Sequence, residues 1–265
     1  MRIATWNVNS LKARQERVEE WLAYARPDVL CLQETKLSDA AFPHMTFSAL
    51  GYDSVHHGQG QWNGVAILSR VGIDAVTNGF DGTQVDPYEG DARVITATCD
   101  GVRVVSVYVP NGREVGTEFY ERKLLWLDLL HDWIAATYSP TDPVVVLGDF
   151  NVAPDDRDVH DPELWRGKNL ASEPERARIV ALEALGLTDL GRAAAGDVTG
   201  PFSWWDYRMG AFHRGWGLRI DLLLGSAPVA ERLVSVEVDR EERKPTSGEG
   251  KPSDHAPVVL TLADA

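Results

Sequence analysis

Short runs of β-branched and other apolar residues recur along the whole chain, and they constrain its fold more than any other feature. Helical patterns are fewer: residues 11–24, residues 117–136, and a third segment that starts at a Ser172-x-x-Glu175 capping box and ends near Gly186. We predict strands at residues 2–6, 29–32, 64–68, 94–99, 102–109, 144–147, 220–224, 233–238 and 257–262. Short connections such as Asp100-Gly101 favour mixed or antiparallel sheets covered by helices, an α/β sandwich rather than a Rossmann fold.

The length and the absence of linkers predict one domain over residues 1–265. Residues 240–252 are polar and predict a surface loop. Apolar runs stay well short of the roughly 20 residues that span a bilayer, and the N-terminus lacks the layout of a signal peptide. We therefore expect a cytoplasmic protein without membrane contact. Its two cysteines, Cys31 and Cys99, lie in apolar runs and are interpreted as buried thiols in a reducing compartment.

Polar residues stand repeatedly where a predicted strand begins or ends. They are Asn7, Glu34, Tyr108, Asp149, Asn151, Asp221, Asp254 and His255. Four of the strands would run towards a common rim and two away from it, which antiparallel neighbours allow. A lone Asp after a strand is more often a turn or helix-cap residue, but this explanation becomes weak for so many positions. We therefore predict one functional site at this rim.

Carboxylates gathered at one rim would repel each other unless a cation lay among them. Oxygen ligands from Glu34, Asp254, Asn7 and Asp149 are typical of a hard cation such as Mg²⁺. Zinc would require His or Cys clusters, which the sequence does not contain. The pattern thus indicates a metal-dependent phosphoesterase.

The segment at residues 202–219 combines aromatic and basic residues. Between Tyr207 and Ile220 it carries three arginines and a histidine but no acid. Arginines suit phosphates and aromatic rings suit bases or sugars, so the segment predicts a nucleic-acid surface. The net charge of -14 argues against DNA as a substrate, although acids that hold metal and locally clustered bases weaken that argument.

Together these motifs resemble the exonuclease III family of abasic-site (AP) endonucleases, within the endonuclease/exonuclease/phosphatase superfamily. The resemblance covers essentially the whole chain. It depends on ATWNVNSL at 4–11, LQETK at 32–36, NGVAILSR at 63–70, VYVPNG at 107–112, GDFNVAP at 148–154, WWDYR at 204–208, GLRIDLLL at 217–224 and SDHAPV at 253–258. GDFN and SDH mark only the superfamily, whereas WWDYR with GLRID is more specific. The resemblance implies a four-layer α/β sandwich of two packed mixed β-sheets flanked by helices.

The resemblance also implies a role for each matching residue. Asp149 would position or deprotonate the attacking water, and His255, paired with Asp221, would donate to the phosphate. Tyr108 and Asn151 complete the implied catalytic set. The implied metal positions are Asn7, Glu34, Asp149, Asn151, Asp254 and His255, for Mg²⁺ with Mn²⁺ as a substitute. The implied DNA-binding positions are Asn9, Asn111, Arg113, Trp204, Arg208 and Arg219.

The implied activity is metal-dependent cleavage of DNA 5′ to abasic sites, with removal of 3′ nucleotides or 3′ blocking groups to leave a 3′-hydroxyl. The expected partner is double-stranded DNA with abasic sites or 3′ ends, bound by a monomer. His160 lies in the loop after GDFNVAP, where we expect a solvated histidine; intruding on the pocket, it would shift activity towards 3′ trimming with little abasic-site incision. Two competing hypotheses are a small-molecule phosphatase of the same superfamily and a binding module without catalysis.

Overall fold

A computed structural model describes residues 1–80, 86–245 and 250–264. In chain order the strands are β1 (Arg2–Asn7), β2 (Val29–Gln33), β3 (Asp53–His57), β4 (Val65–Ser69), β5 (Asp74–Asn78), β6 (Val94–Cys99), β7 (Val102–Tyr108), β8 (Val144–Asp149), β9 (Thr188–Asp189), β10 (Asp221–Gly225), β11 (Leu233–Val238) and β12 (Val258–Leu262). The helices are α1 (Gln15–Ala25), α2 (His44–Ala49), α3 (Glu118–Thr137), α4 (Pro162–Trp165), α5 (Glu173–Ala184), α6 (Leu190–Ala195), α7 (Ala211–Arg214) and α8 (Ala227–Ala230). Among these helices, none has the length and apolar character needed to cross a membrane.

The strands form two six-stranded mixed sheets within the described residues. The first sheet has the order β11-β12-β1-β2-β4-β3, and the second has the order β5-β6-β7-β8-β10-β9. In each sheet one central pair is parallel, β1 with β2 and β7 with β8. Strands β12 and β10 run antiparallel to these pairs. The predicted arrangement, with four strands running towards the rim and two away, is confirmed.

The two sheets pack face to face, with helices outside, so the molecule has four layers. Alternating side chains of β1 show why: Ile3 enters the cluster between the sheets, whereas Ala4 and Trp6 pack with Trp21 of α1. In β8, likewise, Val145 points between the sheets and neighbouring valines point towards α3 and α5. The central strands are buried on both faces, which explains their continuous apolar runs. The predicted four-layer α/β sandwich is confirmed.

Most predicted helix boundaries agree with the structure. Thr117 is the N-cap of α3, and its hydroxyl accepts from the Tyr120 N–H at 3.4 Å. The Ser172–Glu175 capping box opens α5, as expected. The first helix differs, because Leu11–Ala13 forms a 3-10 turn and α1 begins only after Arg14, whose backbone is not helical.

The sequence analysis did not predict three of these strands, β3, β5 and β9. All three strands lie at sheet edges. In addition, β5 is largely exposed and β9 has only 2 residues. None of them therefore shows the apolar pattern of a buried strand. The predicted surface loop at 240–252 was partly wrong, because Arg240–Arg243 forms a 3-10 helix and Arg243 is buried, donating to Trp205 O at 3.2 Å. Residues 246–249 of that predicted loop lie outside the described residues. Cys31 and Cys99 are free and buried, as predicted.

Candidate active site

The rim of both sheets brings the polar strand-end residues together. Asn7 ends β1 and connects the two sheets: its amide Nδ2 donates to Glu34 Oε1 at 2.9 Å and to Asp149 Oδ2, also at 2.9 Å. Glu34 follows β2 of the first sheet, whereas Asp149 ends β8 of the second. Residues separated by more than 100 positions therefore meet, as the sequence predicts.

A buried triad of Asp149, Asp221 and His255 forms the centre of the site. The imidazole Nδ1 of His255 lies 2.9 Å from Asp221 Oδ2, and its Nε2 lies 3.7 Å from Asp149 Oδ2. Burial alone would lower the pKa of His255, but the carboxylates of Asp221 and Asp149 outweigh burial and raise it. His255 therefore keeps its proton, with Nδ1–H donating to Asp221 and Nε2–H facing Asp149.

Burial raises the pKa of Asp149, although the neighbouring His255 charge opposes this. Its second oxygen, Oδ1, accepts from the Asn151 backbone N–H at 2.9 Å. A carboxylate with a raised pKa is a better proton acceptor than an exposed Asp. The arrangement places a base and a charged hydrogen-bond donor side by side.

An amide network extends from the triad. Asn151 lies beside Asp149, and its Nδ2 donates to Val109 O at 2.9 Å. Its Oδ1 accepts from Asn111 Nδ2 at 3.0 Å. Asn111 in turn accepts the Arg113 N–H at 3.1 Å through Oδ1. The strand-end loops after β7 and β8 are thus joined through side chains.

Tyr108 ends β7 and is half-buried beside Glu34 and Asp149. Desolvation raises its pKa well above the ordinary value, and the charges of the two carboxylates add to this effect. The phenol therefore keeps its proton and can donate a hydrogen bond.

A second group of polar residues adjoins Glu34 on the first sheet. The Lys36 ammonium lies 2.9 Å from Glu34 Oε2 and donates to Asn9 Oδ1 at 2.6 Å. Asn9 donates to Asp254 Oδ1 at 3.1 Å, and Trp204 Nε1 donates to Asp254 Oδ2 at 3.0 Å. Asn9, predicted to bind DNA, therefore contacts a predicted metal ligand. Sequence reasoning missed Lys36, although it stands in the LQETK motif.

The chemistry of the donor set fits a hard divalent cation. Glu34, Asp149 and the Asn7 amide offer oxygen atoms, and carboxylates crowded at one rim favour a bound cation. Asp254 has both oxygens hydrogen-bonded, but each carboxylate oxygen can accept more than one partner. Ligand atoms of Asp149, Asp221 and His255 lie within 4.8 Å of one another. Asp221 occupies Nδ1 of His255, so Nε2 is the ring atom that can act as a ligand or as a hydrogen-bond donor.

A cavity of about 580 Å³ opens beside these residues. Trp204 and Trp165 contribute its aromatic walls. Arg113, Lys168 and Arg208 contribute positive charge, and Glu114 and Asp206 contribute negative charge. Arg113 is held over the Phe119 ring at 3.5 Å from its centroid. The sequence analysis missed the WRGKN segment at 165–169, although its aromatic and basic composition could have identified it.

Two residues predicted to bind DNA, Arg208 and Arg219, have very different environments in the structure. The Arg208 side chain is 85% exposed and pairs with Asp206. Arg219 is 4% exposed, and its guanidinium binds Asp158 at 2.6 Å and Asp189 at 2.7 Å. The prediction that Arg219 binds DNA is wrong, because the buried carboxylates occupy its guanidinium. The segment at 202–219 is accordingly part surface and part core, with Trp205 buried.

His160 is half-buried rather than solvated, so the expected solvated loop histidine is wrong. Its ring stacks on Trp216 with centroids 6.0 Å apart, and Nδ1 lies 3.3 Å from Gly217 O. Trp165, a wall of the cavity, lies edge-on to His160 at 6.4 Å. His160 therefore packs against both Trp165 and Trp216.

Known proteins match this chain over nearly its full length. The model of the Endonuclease/Exonuclease/phosphatase family matches residues 4–255. Exodeoxyribonuclease III of Haemophilus influenzae is 33% identical, over 97% of this chain and 98% of that protein.

Two solved structures are similarly close. The 3′ phosphatase NExo from Neisseria, bound to a product DNA hairpin, is 39% identical with a TM-score of 0.92, covering 99% of each chain. An AP endonuclease from Archaeoglobus fulgidus is 36% identical with a TM-score of 0.92, also covering 99% of each. The chain belongs to the Endonuclease/Exonuclease/phosphatase family and, within it, to the exonuclease III family.

Proposed function

We propose that this DNA repair nuclease hydrolyses the phosphodiester 5′ to abasic sites and removes 3′ nucleotides or 3′ blocking groups. The observation that carries the proposal is the position of His255 Nε2, 3.7 Å from Asp149 Oδ2, beside the basic and aromatic cavity. A base and a proton donor so close together suit attack of water on a phosphate. The product would be a 3′-hydroxyl end.

Each residue of the triad has a distinct part in this mechanism. Asp149 accepts the proton of the attacking water. His255 donates from Nε2 to the phosphate oxygen as negative charge builds, and Asp221 holds Nδ1 and so fixes the orientation of the ring. Asn151 orients the Asp149 carboxylate through its backbone N–H and lies where it can hold the water or the phosphate.

Tyr108, which its raised pKa keeps protonated, donates a hydrogen bond to the phosphate or to the leaving oxygen. On the opposite side, Glu34, Asn7 and Asp254 would hold Mg²⁺, with Mn²⁺ as a substitute. The cation supplies charge neutralisation for the scissile phosphate and the departing oxygen. Lys36 stabilises Glu34 by an ion pair at 2.9 Å.

The cavity is proposed to receive an abasic sugar or a 3′-terminal residue. Its volume of about 580 Å³ is many times that of one water molecule. Trp204 offers an apolar face for a sugar without a base, and Arg208 and Lys168 offer charges for the flanking phosphates. Asn111 and Arg113 lie at the same cavity and are proposed to contact phosphate.

A second candidate keeps the chemistry but favours 3′ trimming over abasic-site incision. The observation that favours it is that His160 packs edge-on against Trp165, a residue of the cavity wall. The related NExo structure is described as a 3′ phosphatase, whereas the related Archaeoglobus fulgidus structure is described as an AP endonuclease.

The test gives purified protein two labelled duplexes, one with an internal abasic analogue and one with a recessed 3′ end. Each is incubated with Mg²⁺, with Mn²⁺ or with EDTA. We expect Mg²⁺-dependent incision immediately 5′ to the abasic site and some 3′ shortening. Shortening without incision establishes the second candidate, and intact duplexes with both Mg²⁺ and Mn²⁺ refute both. Release of inorganic phosphate from soluble esters alone would indicate a small-molecule phosphatase.

We also propose that residues 1–265 act as a single-domain monomer in the cytoplasm. Both cysteines are buried and free, which suits a reducing compartment. The two sheets share one apolar cluster between them, which supports a single domain. Light scattering after gel filtration measures the mass in solution, and a dimer mass would contradict the proposal.

A further inference from the structure

Lys123 lies in the second turn of α3 with its side chain fully buried, at 0% exposure. Its ammonium donates to the backbone oxygen of Asn151 at 2.7 Å and to that of Asn111 at 3.2 Å. The third acceptor is the equally buried carboxylate of Glu175 on α5. All three protons of the ammonium therefore have acceptors.

A buried ion pair is a costly way to join two helices. Removing each ion from water costs several kcal/mol, and packed apolar residues of similar volume often stabilise as well or better. The surroundings of Lys123 on α3 are apolar, with Trp126, Leu127 and Leu130 all in the core. Lys123 differs from these apolar neighbours because it makes hydrogen bonds and an ion pair to other segments, and not because it stabilises α3.

Those bonds converge on the loops that form the active site and the cavity. Asn111 belongs to the loop after β7, and Asn151 to the loop after β8. Glu175 accepts the N–H groups of Leu170 at 3.1 Å and Ser172 at 3.0 Å, and Leu170 lines the cavity. One ion pair thus fixes three separate loops.

The space beside Lys123 is also fitted to it. Gly112 has a φ of 81°, and a Cβ at this position would lie 2.7 Å from Lys123 Cδ and 3.0 Å from Asn169 Oδ1. A glycine is required here both for its backbone conformation and for the close approach of the lysine side chain.

We propose that Lys123, with Glu175, is a positioning residue for phosphodiester hydrolysis. It holds the backbones of Asn111 and Asn151 so that Asn111 Nδ2 reaches Asn151 Oδ1 at 3.0 Å and the Asn151 N–H reaches Asp149 Oδ1 at 2.9 Å. Asp149 is thereby aimed at the attacking water. This inference rests on the proposed function, because it concerns the same triad.

The central variant is the double substitution Lys123→Met with Glu175→Gln. It removes both charges together, so that neither is left buried and unpaired, and Gln still serves in the capping box. The matched control is Leu130→Ala, which weakens the same helix without touching the loops. Gly112→Ala is a second variant that displaces Lys123 while keeping its charge.

We expect kcat to fall about 10- to 100-fold in the double variant and in Gly112→Ala, with a smaller change in KM, because a small displacement of the base slows the chemical step. Leu130→Ala should keep its kcat at a temperature where it is folded. Amide hydrogen exchange should become faster at residues 109–112 and 150–153 in the double variant but not in the control.

The outcomes separate this inference from the proposed function. Failure of the unmodified protein to cleave DNA would refute the proposed function, and the exchange measurement would still test whether Lys123 orders the loops. A folded double variant with unchanged kcat and unchanged exchange would overturn the inference. If the double variant does not fold, unchanged kcat and exchange in folded Gly112→Ala would overturn it instead.

Discussion

Three residues of the active site have strained backbone conformations. Glu34 has a φ of 52°, Asn9 of 44° and Asn151 of 50°, values that L-residues other than glycine rarely adopt. Such conformations cost of order 1–3 kcal/mol each and persist where surrounding contacts hold them. Here the hydrogen bonds of Asn7 and Lys36 hold the Glu34 side chain, and Asn111 holds Asn151.

The substitution Asp149→Asn should abolish catalysis without unfolding the protein. Asn has nearly the same shape, and burial already raises the pKa of Asp149, so loss of the charge should not lower the free energy of unfolding. We expect kcat to fall about 10²- to 10⁴-fold with DNA affinity largely retained. Gel-shift titration and urea denaturation provide the checks, and an unfolded variant would show that Asp149 is structural.

Arg208 and Arg219 should respond in opposite ways to replacement by Ala. Exposed Arg208 can bind phosphate, so Arg208→Ala should weaken DNA binding and reduce the slope of log affinity against log salt by about 1, without affecting stability. Arg219→Ala leaves buried Asp189 without its ionic partner and leaves Asp158 with Arg192 alone, and should cost about 3–5 kcal/mol of unfolding free energy. Equal stability of the two variants would contradict this assignment.

At the scale of elements, edge strand β3 supports the Glu34 loop. His56 of β3 lies with Nε2 2.8 Å from Thr35 Oγ1, next to Glu34, and its ring stacks on Phe42 at 4.3 Å. Burial lowers the pKa of His56 to about 4, although Asp39 on the other ring nitrogen opposes this. The strand that sequence analysis missed thus carries a neutral buried histidine next to the site.

Because His56 is kept neutral in the fold, the free energy of unfolding should decrease as the pH falls. The unfolded chain protonates this histidine near the ordinary pKa of 6.5, whereas the folded protein keeps it neutral down to about 4. The stabilisation that comes from keeping His56 neutral is therefore complete above pH 6.5. It is lost as the pH falls towards 4, and the free energy of unfolding decreases by up to about 3 kcal/mol. Urea denaturation of the unmodified protein and of His56→Gln at about pH 7.5 and about pH 5 measures this. Parallel pH profiles of the two proteins would contradict the assignment.

At the scale of the whole molecule, both sheets contribute to the site. The first sheet supplies Asn7, Glu34 and Asp254, and the second supplies Asp149 and Asp221. The net charge of -14 reflects many acids, yet Arg113, Lys168 and Arg208 gather at the cavity. Glu114 and Asp206 line the same cavity, so the local charge is only weakly positive, and we expect this local charge rather than the total to govern DNA binding.

A cation held by Asn7, Glu34 and Asp254 should stabilise the folded protein. Saturating Mg²⁺ should raise Tm by about 2–4 °C for each kcal/mol of binding free energy gained. Glu34→Gln should abolish most of this rise, whereas Glu237→Gln, an exposed position of β11 in the same sheet, should keep it. Differential scanning calorimetry with and without EDTA measures the effect. Equal shifts in both variants would exclude Glu34 as a ligand.

The sequence alone determined the central strands and the residues at their ends. The buried runs of β1, β2, β7 and β8 are apolar on both faces, so their pattern is visible without a structure. Asn7, Glu34, Asp149 and His255 were found because polar residues at such strand ends are unusual. Local sequence also specified the helix α5, since its capping box lies within four consecutive residues.

The features that depend on long-range contacts could be determined only from the tertiary structure. Arg219 looks like a DNA ligand in sequence, but Asp158 and Asp189, which are 61 and 30 residues away, bury it. The roles of Lys123 and Glu175 likewise depend on loops that sequence distance does not relate. The physical reason is that pattern and propensity are local, whereas burial, ion pairing and the edges of sheets depend on which distant segments meet.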